Sequence, residues 1–321
     1  MTTTTSGGVS PKAGAEPPRR PLGVARPRYG EKAVKVFLAL CAGLSVAVTT
    51  AIVISLIAPS FTFFRDVSVV EFLTGTKWAP GLAKPSFGVL PIVVGTLTVV
   101  VIAMIVAIPI GLACAIYLSE YAPRGLRKVI KPALEILEGL PTVAIGLFGL
   151  YFLLPMMQDL LPWASWQGEF SIGVAGVAVG LLIIPLVSSV SEDAMRSVPA
   201  GLREGAFALG ANKMRVSLRV VFPAAISGIV AAFVLAASRA VGETMVVLLI
   251  GGAGRPDLSF DIFGPAQTMT AYIGRTSTGD ISTGTTAYYT IFAVGSLLFL
   301  MTLVMNMFAI RLVRRFREVY E

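Results

Sequence analysis

The chain has 321 residues, of which 55% are hydrophobic and only 14% are charged, whereas charged residues make up about a quarter of an ordinary soluble protein. Its net charge is +8, but its Lys and Arg lie between long apolar runs rather than on one face, which argues against nucleic-acid binding. The sequence has no histidine and no GxxxxGK[ST] stretch, which excludes histidine-based nucleophile pairs, the HExxH zinc site and a phosphate-binding loop. Cys41 and Cys114 both lie in apolar runs, so they predict neither a disulfide framework nor a metal site. We therefore predict a membrane protein without a catalytic, metal or cofactor site of its own.

The first 30 residues are rich in Thr, Gly, Pro and Arg and contain almost no large apolar side chains. Such a segment cannot bury enough surface to offset the entropy cost of ordering it. We expect residues 1–30 to be a disordered cytoplasmic tail and residues 31–321 to form the transmembrane domain. The tail is not predicted to be a secretory signal, because the apolar run after it is too long for one.

Six apolar runs follow, and each reaches the roughly 20 residues that a helix needs to cross about 30 Å of hydrocarbon. They cover residues 36–64, 85–119, 139–158, 170–191, 220–254 and 281–310. Of the 26 Lys and Arg residues, 20 lie before the first run, between the second and third, between the fourth and fifth, and after the sixth, and five lie in the alternate segments. This excess predicts an all-α membrane protein with six transmembrane helices and both termini in the cytoplasm.

The alternate segments are predicted to be external loops, at residues 65–88, 159–169 and 255–280. Aromatic residues in the first two are expected to anchor the membrane interface, at Trp78, Phe87, Trp163 and Trp166. The last segment is rich in Gly, Ser, Thr and Asp, and it is a candidate surface for an external partner.

Two carboxylates, Glu135 and Glu138, precede the third run. We interpret them as a solvated cytoplasmic helix end that faces Lys131 or the basic loops. Gly146 and Gly149 follow within the run, and they are expected to allow close contact between helices.

A polar loop at residues 193–223 separates the fourth and fifth runs. Ser197 is predicted to cap a short helix with Pro199 in its first turn, Gly210 to end that helix in a left-handed conformation, and Asn212 to restart the chain. One stripe of this helix carries Leu202, Ala206 and Leu209. The stripe is a surface that a partner can bind.

The spacing in this loop resembles the EAA loop of ABC importer permeases, whose usual form is EAA, three residues, G, nine residues, I, one residue, LP. The matching positions are Glu204, Gly205, Ala206, Gly210, Val220, Phe222 and Pro223. Gly205, Val220 and Phe222 depart from the usual Ala, Ile and Leu, and these replacements are small or apolar. The resemblance implies that residues 199–223 contain the coupling helix that binds an ATP-binding subunit, with coupling residues at Leu202, Glu204, Gly205, Ala206, Gly210 and Pro223. The alternative is an amphipathic connector that lies on the membrane surface.

The fifth run carries Arg239 and Glu243 in the sequence SRAVGET. A single helix over 224–250 would place Arg239 near the bilayer centre, about 24 Å from Pro223 at a rise of 1.5 Å per residue. A central Arg costs about 2.5 to 3.5 kcal/mol, so it needs a reason. One is an ion pair that joins two helices.

The second possible reason for Arg239 is a translocation path. Its guanidinium would face the path and hold an oxyanion through two parallel hydrogen bonds, and Ser238 and Thr244 would keep the path polar. A carboxylate at Glu243 repels a dianion but accepts a hydrogen bond from one that still carries a proton, as hydrogen phosphate does and sulfate does not. The pair of Arg239 and Glu243 therefore favours phosphate.

Three sequence patterns resemble the permeases of phosphate-specific ABC importers, of the PstC type rather than its PstA partner. They are SRAVGET, EGLPTVAIGLFG, and the order of Phe72 to Trp78, Pro80, Phe87 to Pro91 and Gly95 to Leu97. The resemblance covers about residues 33–318. It implies a type I ABC importer permease fold, and Arg239 and Glu243 as residues of the anion path.

The same resemblance implies a complex in the cell membrane of a prokaryote. Its members are a homologous second permease of PstA type, two ATP-binding subunits of PstB type and an external phosphate-binding protein of PstS type. The alternatives are a permease for another oxyanion such as sulfate or molybdate, a membrane enzyme for a phosphorylated substrate, and a passive channel or sensor.

Overall fold

Long apolar helices dominate the chain, as expected where backbone polar groups must be satisfied within each segment. The computed structural model describes residues 29–279 and 281–316, so nearly all of the predicted tail at 1–30 lies outside the described residues. The chain divides into two units, one ending at Ile52 and the other comprising Val53–Glu321. The described part of the first unit is the beginning of helix α1 (Tyr29–Asp66).

In the described residues of the second unit, helices predominate and the named strands form one short hairpin. After α1 come α2 (Val69–Thr74) and two antiparallel strands, β1 (Trp78–Ala79) and β2 (Ser86–Phe87), with Trp78 opposite Phe87. The following helices are α3 (Leu90–Ile116), α4 (Arg124–Glu138), α5 (Thr142–Phe148), α6 (Leu154–Leu160), α7 (Ile172–Arg196), α8 (Ala200–Ala208), α9 (Lys213–Val216), α10 (Phe222–Ala224), α11 (Ile226–Gly242), α12 (Met245–Ile250), α13 (Met269–Thr278) and α14 (Thr286–Phe316). Turns of π-helix extend or join these helices at Tyr117–Tyr121, Gly149–Leu153 and Ser217–Val221.

Within the described residues, five helical runs are long and apolar enough to cross a membrane, and a bent pair of helices provides a sixth. The five are Glu31–Asp66, Leu90–Tyr121, Thr142–Leu160, Ile172–Arg196 and Thr286–Arg311. The bent pair is Lys213–Ala224 and Ile226–Gly242, which meet at 70°. This agrees with the predicted all-α membrane fold, whereas the orientation of the termini stays a prediction.

The predicted single helix over 224–250 is wrong. The chain bends at Ala225, whose φ of −92° and ψ of 0° depart from the values of a regular α-helix. The helix ends again at Gly242, where Glu243 takes an extended conformation with ψ 127°, and α12 begins after Thr244. Pro223 and Arg239 therefore do not lie on one continuous helix.

Helix α7 is the most buried of the five long runs, and small residues bring its neighbours close. A Cβ atom added at Gly180 would lie 2.9 Å from the Cβ of Val106 on α3, and one added at Gly228 on α11 would lie 2.4 Å from the Cβ of Ala194 on α7. Contacts this close are typical of helix packing between small residues in membranes. α3 and α11 therefore form a scaffold with α7.

Helix α4 lies against α7 and runs in the opposite direction. Arg127 and Lys131, in its first half, bind Glu192 near the end of α7. Leu137, at its other end, lines a cavity together with Pro185 near the middle of α7. Helix α4 therefore precedes the third apolar run, Thr142–Leu160, and is separated from it by the break between α4 and α5.

The predicted external loops contain more packed structure than expected. Trp78 is not an interface anchor, because it is buried and its ring packs edge-to-face on Tyr272 with the ring centroids 4.9 Å apart. Tyr272 belongs to α13, a largely buried helix in the segment predicted to be the loop 255–280. The hydroxyl of Thr268 starts this helix by accepting a hydrogen bond from the N–H of Ala271 at 3.2 Å.

Candidate functional site

The guanidinium of Arg239 binds the end of α4. Its Nη1 donates to Glu138 Oε1 at 3.0 Å, and its Nη2 donates to the backbone carbonyl of Glu138 at 3.1 Å. Both side chains are 31% exposed. The prediction that Glu138 faces Lys131 is wrong, because Lys131 binds Glu192 and Asp193 instead. The structure therefore shows an interhelical ion pair at Arg239 whose two side chains are partly exposed, and the role of Arg239 in an anion path stays a prediction.

Glu243 serves as a cap at the second helix interruption. Its Oε1 accepts hydrogen bonds from the N–H of Thr244 and from the N–H of Val246, both at 3.2 Å. Its backbone carbonyl accepts a hydrogen bond from the hydroxyl of Thr270 at 2.7 Å. The side chain thus satisfies backbone donors at the start of α12, which stabilises the break after Gly242.

The two predicted hydroxyls point to different partners. The Oγ of Ser238 donates to Oδ1 of Asn306 on α14 at 2.7 Å. The Oγ1 of Thr244 donates to the carbonyl of Gly242 at 3.2 Å. Sequence reasoning missed Asn306, because a lone Asn inside an apolar run carries no signal about which helix it faces.

The interruption between α4 and α5 lies beside the one between α11 and α12. The helices that follow these breaks pack together, since a Cβ atom added at Gly146 would lie 2.6 Å from Leu249 and 3.4 Å from the carbonyl of Met245. The Arg239–Glu138 ion pair bridges the helices that precede them. Interrupted helices that meet inside a transporter are typical of substrate sites.

Sequence reasoning also missed Glu138 as a partner of Arg239, because the two residues are 101 positions apart. The available signal was the order Glu138, Gly139, Leu140, Pro141, in which a carboxylate directly precedes a helix-breaking pair of residues. Such an order places a charge at a helix end.

The loop between α7 and α11 contains the predicted short helix, α8, but with a different start. Ser197 does not cap α8, because it ends α7 and its hydroxyl donates to the carbonyl of Ala194 at 2.8 Å. Pro199 occupies the capping position instead. Gly210 has the predicted left-handed conformation, with φ +79°, and the side chain of Asn212 caps α9 by accepting from the N–H of Arg215 at 2.9 Å.

One face of α8 is tied to the scaffold by Arg203. Its Nη1 donates to the carbonyl of Val198 at 2.7 Å, and its Nη2 donates to the carbonyl of Met195 at 2.8 Å and to Glu120 Oε1 at 3.2 Å. Arg203 therefore fixes α8 to the end of α7 and to the π-helical turn after α3.

The rest of α8 and the turn after it present an exposed surface. Glu204 and Gly205 are exposed, and a Cβ atom added at Gly205 would meet nothing within 4 Å. Leu202 is exposed and Leu209 is 90% exposed, whereas Ala206, predicted on the same stripe, packs against a buried cluster. The exposed apolar residues on this surface are Leu202, Phe207 and Leu209.

A known family matches most of this architecture. The family model described as the binding-protein-dependent transport system inner membrane component matches residues 107–318. The chain belongs to this family. The permease is 35% identical over 256 residues to the probable ABC transporter permease protein YqgH of Bacillus subtilis, which covers 78% of this chain and 82% of YqgH.

The permease is also 34% identical over 252 residues to the phosphate transport system permease protein PstC of Mesorhizobium japonicum, which covers 72% of this chain and 74% of that protein. A chain of a bacterial ABC transporter involved in the import of the acidic polysaccharide alginate superposes with a TM-score of 0.62 at 18% identity, covering 91% of this chain and all of that chain. The permease therefore has the type I ABC importer fold.

Membership of this family establishes the general role of the chain. It is a multi-pass membrane component of an ABC importer, and such permease components are not enzymes themselves. The family of binding-protein-dependent systems implies partners that hydrolyse ATP and that bind the substrate.

Proposed function

We propose that this permease is the PstC-type subunit of an ATP-driven importer of inorganic phosphate, in which it forms the translocation path with a second, homologous permease. The observation that carries the proposal is the identity of 34% to a phosphate transport permease over nearly three quarters of both chains. The partly exposed guanidinium at adjoining helix breaks supplies the chemistry that an oxyanion requires.

Arg239 is the proposed contact for the anion. Its guanidinium already binds two oxygen acceptors of Glu138, which shows that the side chain can present two donors in the fork that suits a phosphate oxyanion. Ser238, Glu243 and Thr244 complete the proposed path. In this proposal Glu243 has two functions, since it caps α12 and supplies a carboxylate four residues after Arg239 in the sequence.

The exposed surface of α8 is the proposed contact for an ATP-binding subunit. Leu202, Glu204 and Gly205 are exposed there, which leaves them free to contact a partner. Ala206 and Pro223 belong to the same proposed coupling unit, and Gly210 provides the turn that orients α8. Arg203 supports this role because it passes any displacement of α8 directly to α3 and α7.

The proposed complex resides in the cell membrane of a prokaryote with both termini of the permease in the cytoplasm. It contains a PstA-like permease, two PstB-like ATP-binding subunits and a PstS-like external phosphate-binding protein. The distribution of Lys and Arg supports this orientation, because it would place α8 on the side where ATP is available.

The substrate is tested by uptake of radioactive phosphate into liposomes that contain the full complex. We expect phosphate uptake that depends on ATP and resists competition by excess sulfate or molybdate. Arg239→Gln is expected to abolish uptake without changing co-purification of the subunits. Uptake of sulfate or molybdate in preference to phosphate would contradict the proposed substrate.

The coupling role is tested separately by co-purification of the ATP-binding subunit. Gly210→Val places a β-branched residue in the left-handed region, which costs about 1 to 2 kcal/mol or more and reorients α8. We expect the ATP-binding subunit to be lost. The matched control is Gly201→Ala, because Gly201 lies in α8 with open space around its Cβ position. Intact assembly and uptake in Gly210→Val would show that the loop does not couple.

A further inference from the structure

We infer that Glu138 is an internal counter-anion of Arg239, which the transported phosphate displaces and which binds the guanidinium again when phosphate leaves. The inference rests on the proposed function, because it assigns a second participant to the proposed anion contact. It starts from the two hydrogen bonds that join Arg239 to the last residue of α4.

Glu138 and an oxyanion require the same donors. Nη1 and Nη2 of Arg239 form one bidentate edge of the guanidinium, and Glu138 occupies both of them with a carboxylate oxygen at 3.0 Å and a helix-terminal carbonyl at 3.1 Å. The carbonyl adds to the negative charge, because the C-terminal end of a helix carries a partial negative charge. An oxyanion that takes this edge must therefore displace Glu138.

The pair is accessible enough to open. Its two side chains are each 31% exposed, so an anion can reach the guanidinium and replace Glu138 there. The buried Glu192 at the other end of α4 is a contrasting case, because its side chain is only 1% exposed. An external anion can therefore replace Glu138 at Arg239, whereas the buried Glu192 is not expected to be replaced at Arg127 and Lys131.

The backbone next to Glu138 permits a local displacement. Glu138 is the last residue of α4, and Gly139 and Pro141 separate it from the start of α5. Because Pro141 has no backbone N–H, the α-helical hydrogen bonding does not continue from α4 into α5. The end of α4 that carries Glu138 can then move without unwinding α5, while Arg127 and Lys131 bind Glu192 and fix the first half of the helix to α7.

The exchange also keeps the charge of the path balanced. A cationic side chain among apolar helices is costly when it has no partner. With Glu138 as the alternate partner, Arg239 is neutralised whether or not phosphate occupies it. Glu138 would then also speed the release of phosphate by competing for its donors.

The test compares Glu138→Gln with Glu135→Gln in the assembled permease and ATPase complex. Glu135 lies one turn earlier on α4 and is exposed, and its substitution makes the same change in net charge without removing either hydrogen bond between Glu138 and Arg239. Binding of radioactive phosphate is measured without the binding protein, and uptake is measured in liposomes with it. The Gln side chain keeps the shape and one acceptor oxygen of Glu, which favours an intact fold.

We expect Glu138→Gln to bind phosphate about tenfold more tightly, which corresponds to ~1.4 kcal/mol, and to take it up more slowly at saturating phosphate because release is slower. Glu135→Gln is expected to match the wild type in both measurements. If Glu138→Gln does not assemble, Glu138→Asp replaces it, with the same direction and a smaller change, since its carboxylate is set back by one methylene group.

The outcomes separate this inference from the proposed function. Equal phosphate binding and uptake in Glu138→Gln and Glu135→Gln, with a transporting wild type, would overturn the role of Glu138 alone. Loss of assembly in both Glu138 variants would assign the pair a structural role and overturn it as well. A wild-type complex that takes up no phosphate would overturn both proposals.

Discussion

The two ends of helix α4 are held to the rest of the permease by ion pairs of opposite character. At the first half of the helix, Arg127 and Lys131 bind Glu192, whose side chain is 1% exposed, and Arg196 adds a third cation 3.9 Å away. Glu138, the last residue of the helix, pairs with Arg239, and both side chains are 31% exposed. At the first contact the carboxylate of Glu192 is buried and lies near several cations, of which Lys131 also binds the exposed Asp193, whereas at the second contact both partners are partly exposed.

The difference indicates which end of α4 can move. A buried carboxylate that holds several cations is expensive to expose, because each separated charge would lose its compensation in a medium of low polarity. The Arg239–Glu138 pair is more exposed, and an incoming anion that replaces Glu138 keeps Arg239 paired. Helix α4 therefore has one fixed end and one releasable end, and the releasable end lies at the proposed substrate contact.

The largest effect is expected from Glu192→Ala. Removal of this carboxylate leaves Arg127 and Lys131 without their buried partner, which typically costs about 3 to 5 kcal/mol. We expect a severe loss of folded permease in the membrane and of its midpoint of thermal unfolding in detergent. A midpoint close to that of the wild type would show that Glu192 does not fix α4.

The sequence predicted the number and places of the apolar helices because hydropathy is a property of each segment alone. It predicted Gly210 and the cap at Asn212 for the same reason, since turn chemistry is local. The partner of Arg127 and Lys131 was not predicted, because the charges of these residues resemble a solvated helix. Only the packing against α7 shows that Glu192 neutralises them.

A smaller effect is expected from Lys131→Met. Glu192 keeps Arg127 as a partner, and Met retains most of the apolar stem, so the loss is about 1.5 to 3 kcal/mol, the range for a hydrogen bond to a charged group. The midpoint of thermal unfolding is expected to fall by less than in Glu192→Ala. An equal fall in both variants would mean that Lys131 alone accounts for the anchoring, and that Arg127 adds nothing.

The candidate site was predictable in part. Arg239 stood out as a charge within an apolar run, and its chemistry followed from the residue type. Its partner did not, because Glu138 is far away in sequence and the break after Gly242 depends on the side chain of Glu243 capping α12. Trp78 was misplaced for a related reason, since an aromatic residue at a predicted loop resembles an interface anchor until α13 is seen to cover it.

Substitution of Glu243 tests a carboxylate that is bound by backbone donors instead of a cation. Glu243→Ala removes the cap of α12 and is expected to cost about 1 kcal/mol of stability, as other helix caps do. Glu243→Gln keeps an acceptor for the same N–H groups, so its thermal midpoint is expected to stay near the wild type.

Uptake assays then test whether the charge of Glu243 matters for transport. If its carboxylate distinguishes hydrogen phosphate from sulfate, Glu243→Gln is expected to take up less phosphate and to admit sulfate in the liposome assay. Unchanged phosphate uptake with no sulfate uptake would remove Glu243 from the proposed anion path and leave it as a cap.

The smallest effect on stability is expected from Glu138→Gln, at about 0 to 1 kcal/mol, because the pair is partly exposed and Gln keeps an acceptor oxygen for Arg239. Thermal midpoints of Glu138→Gln and Glu192→Ala, measured in the same complex, compare the two ends of α4 directly. A fall in the Glu138 variant as large as that in the Glu192 variant would mean that both ends are fixed. A small fall together with altered phosphate binding means that the Arg239 pair costs little to open, and a pair that costs little to open is what an anion needs in order to enter and leave.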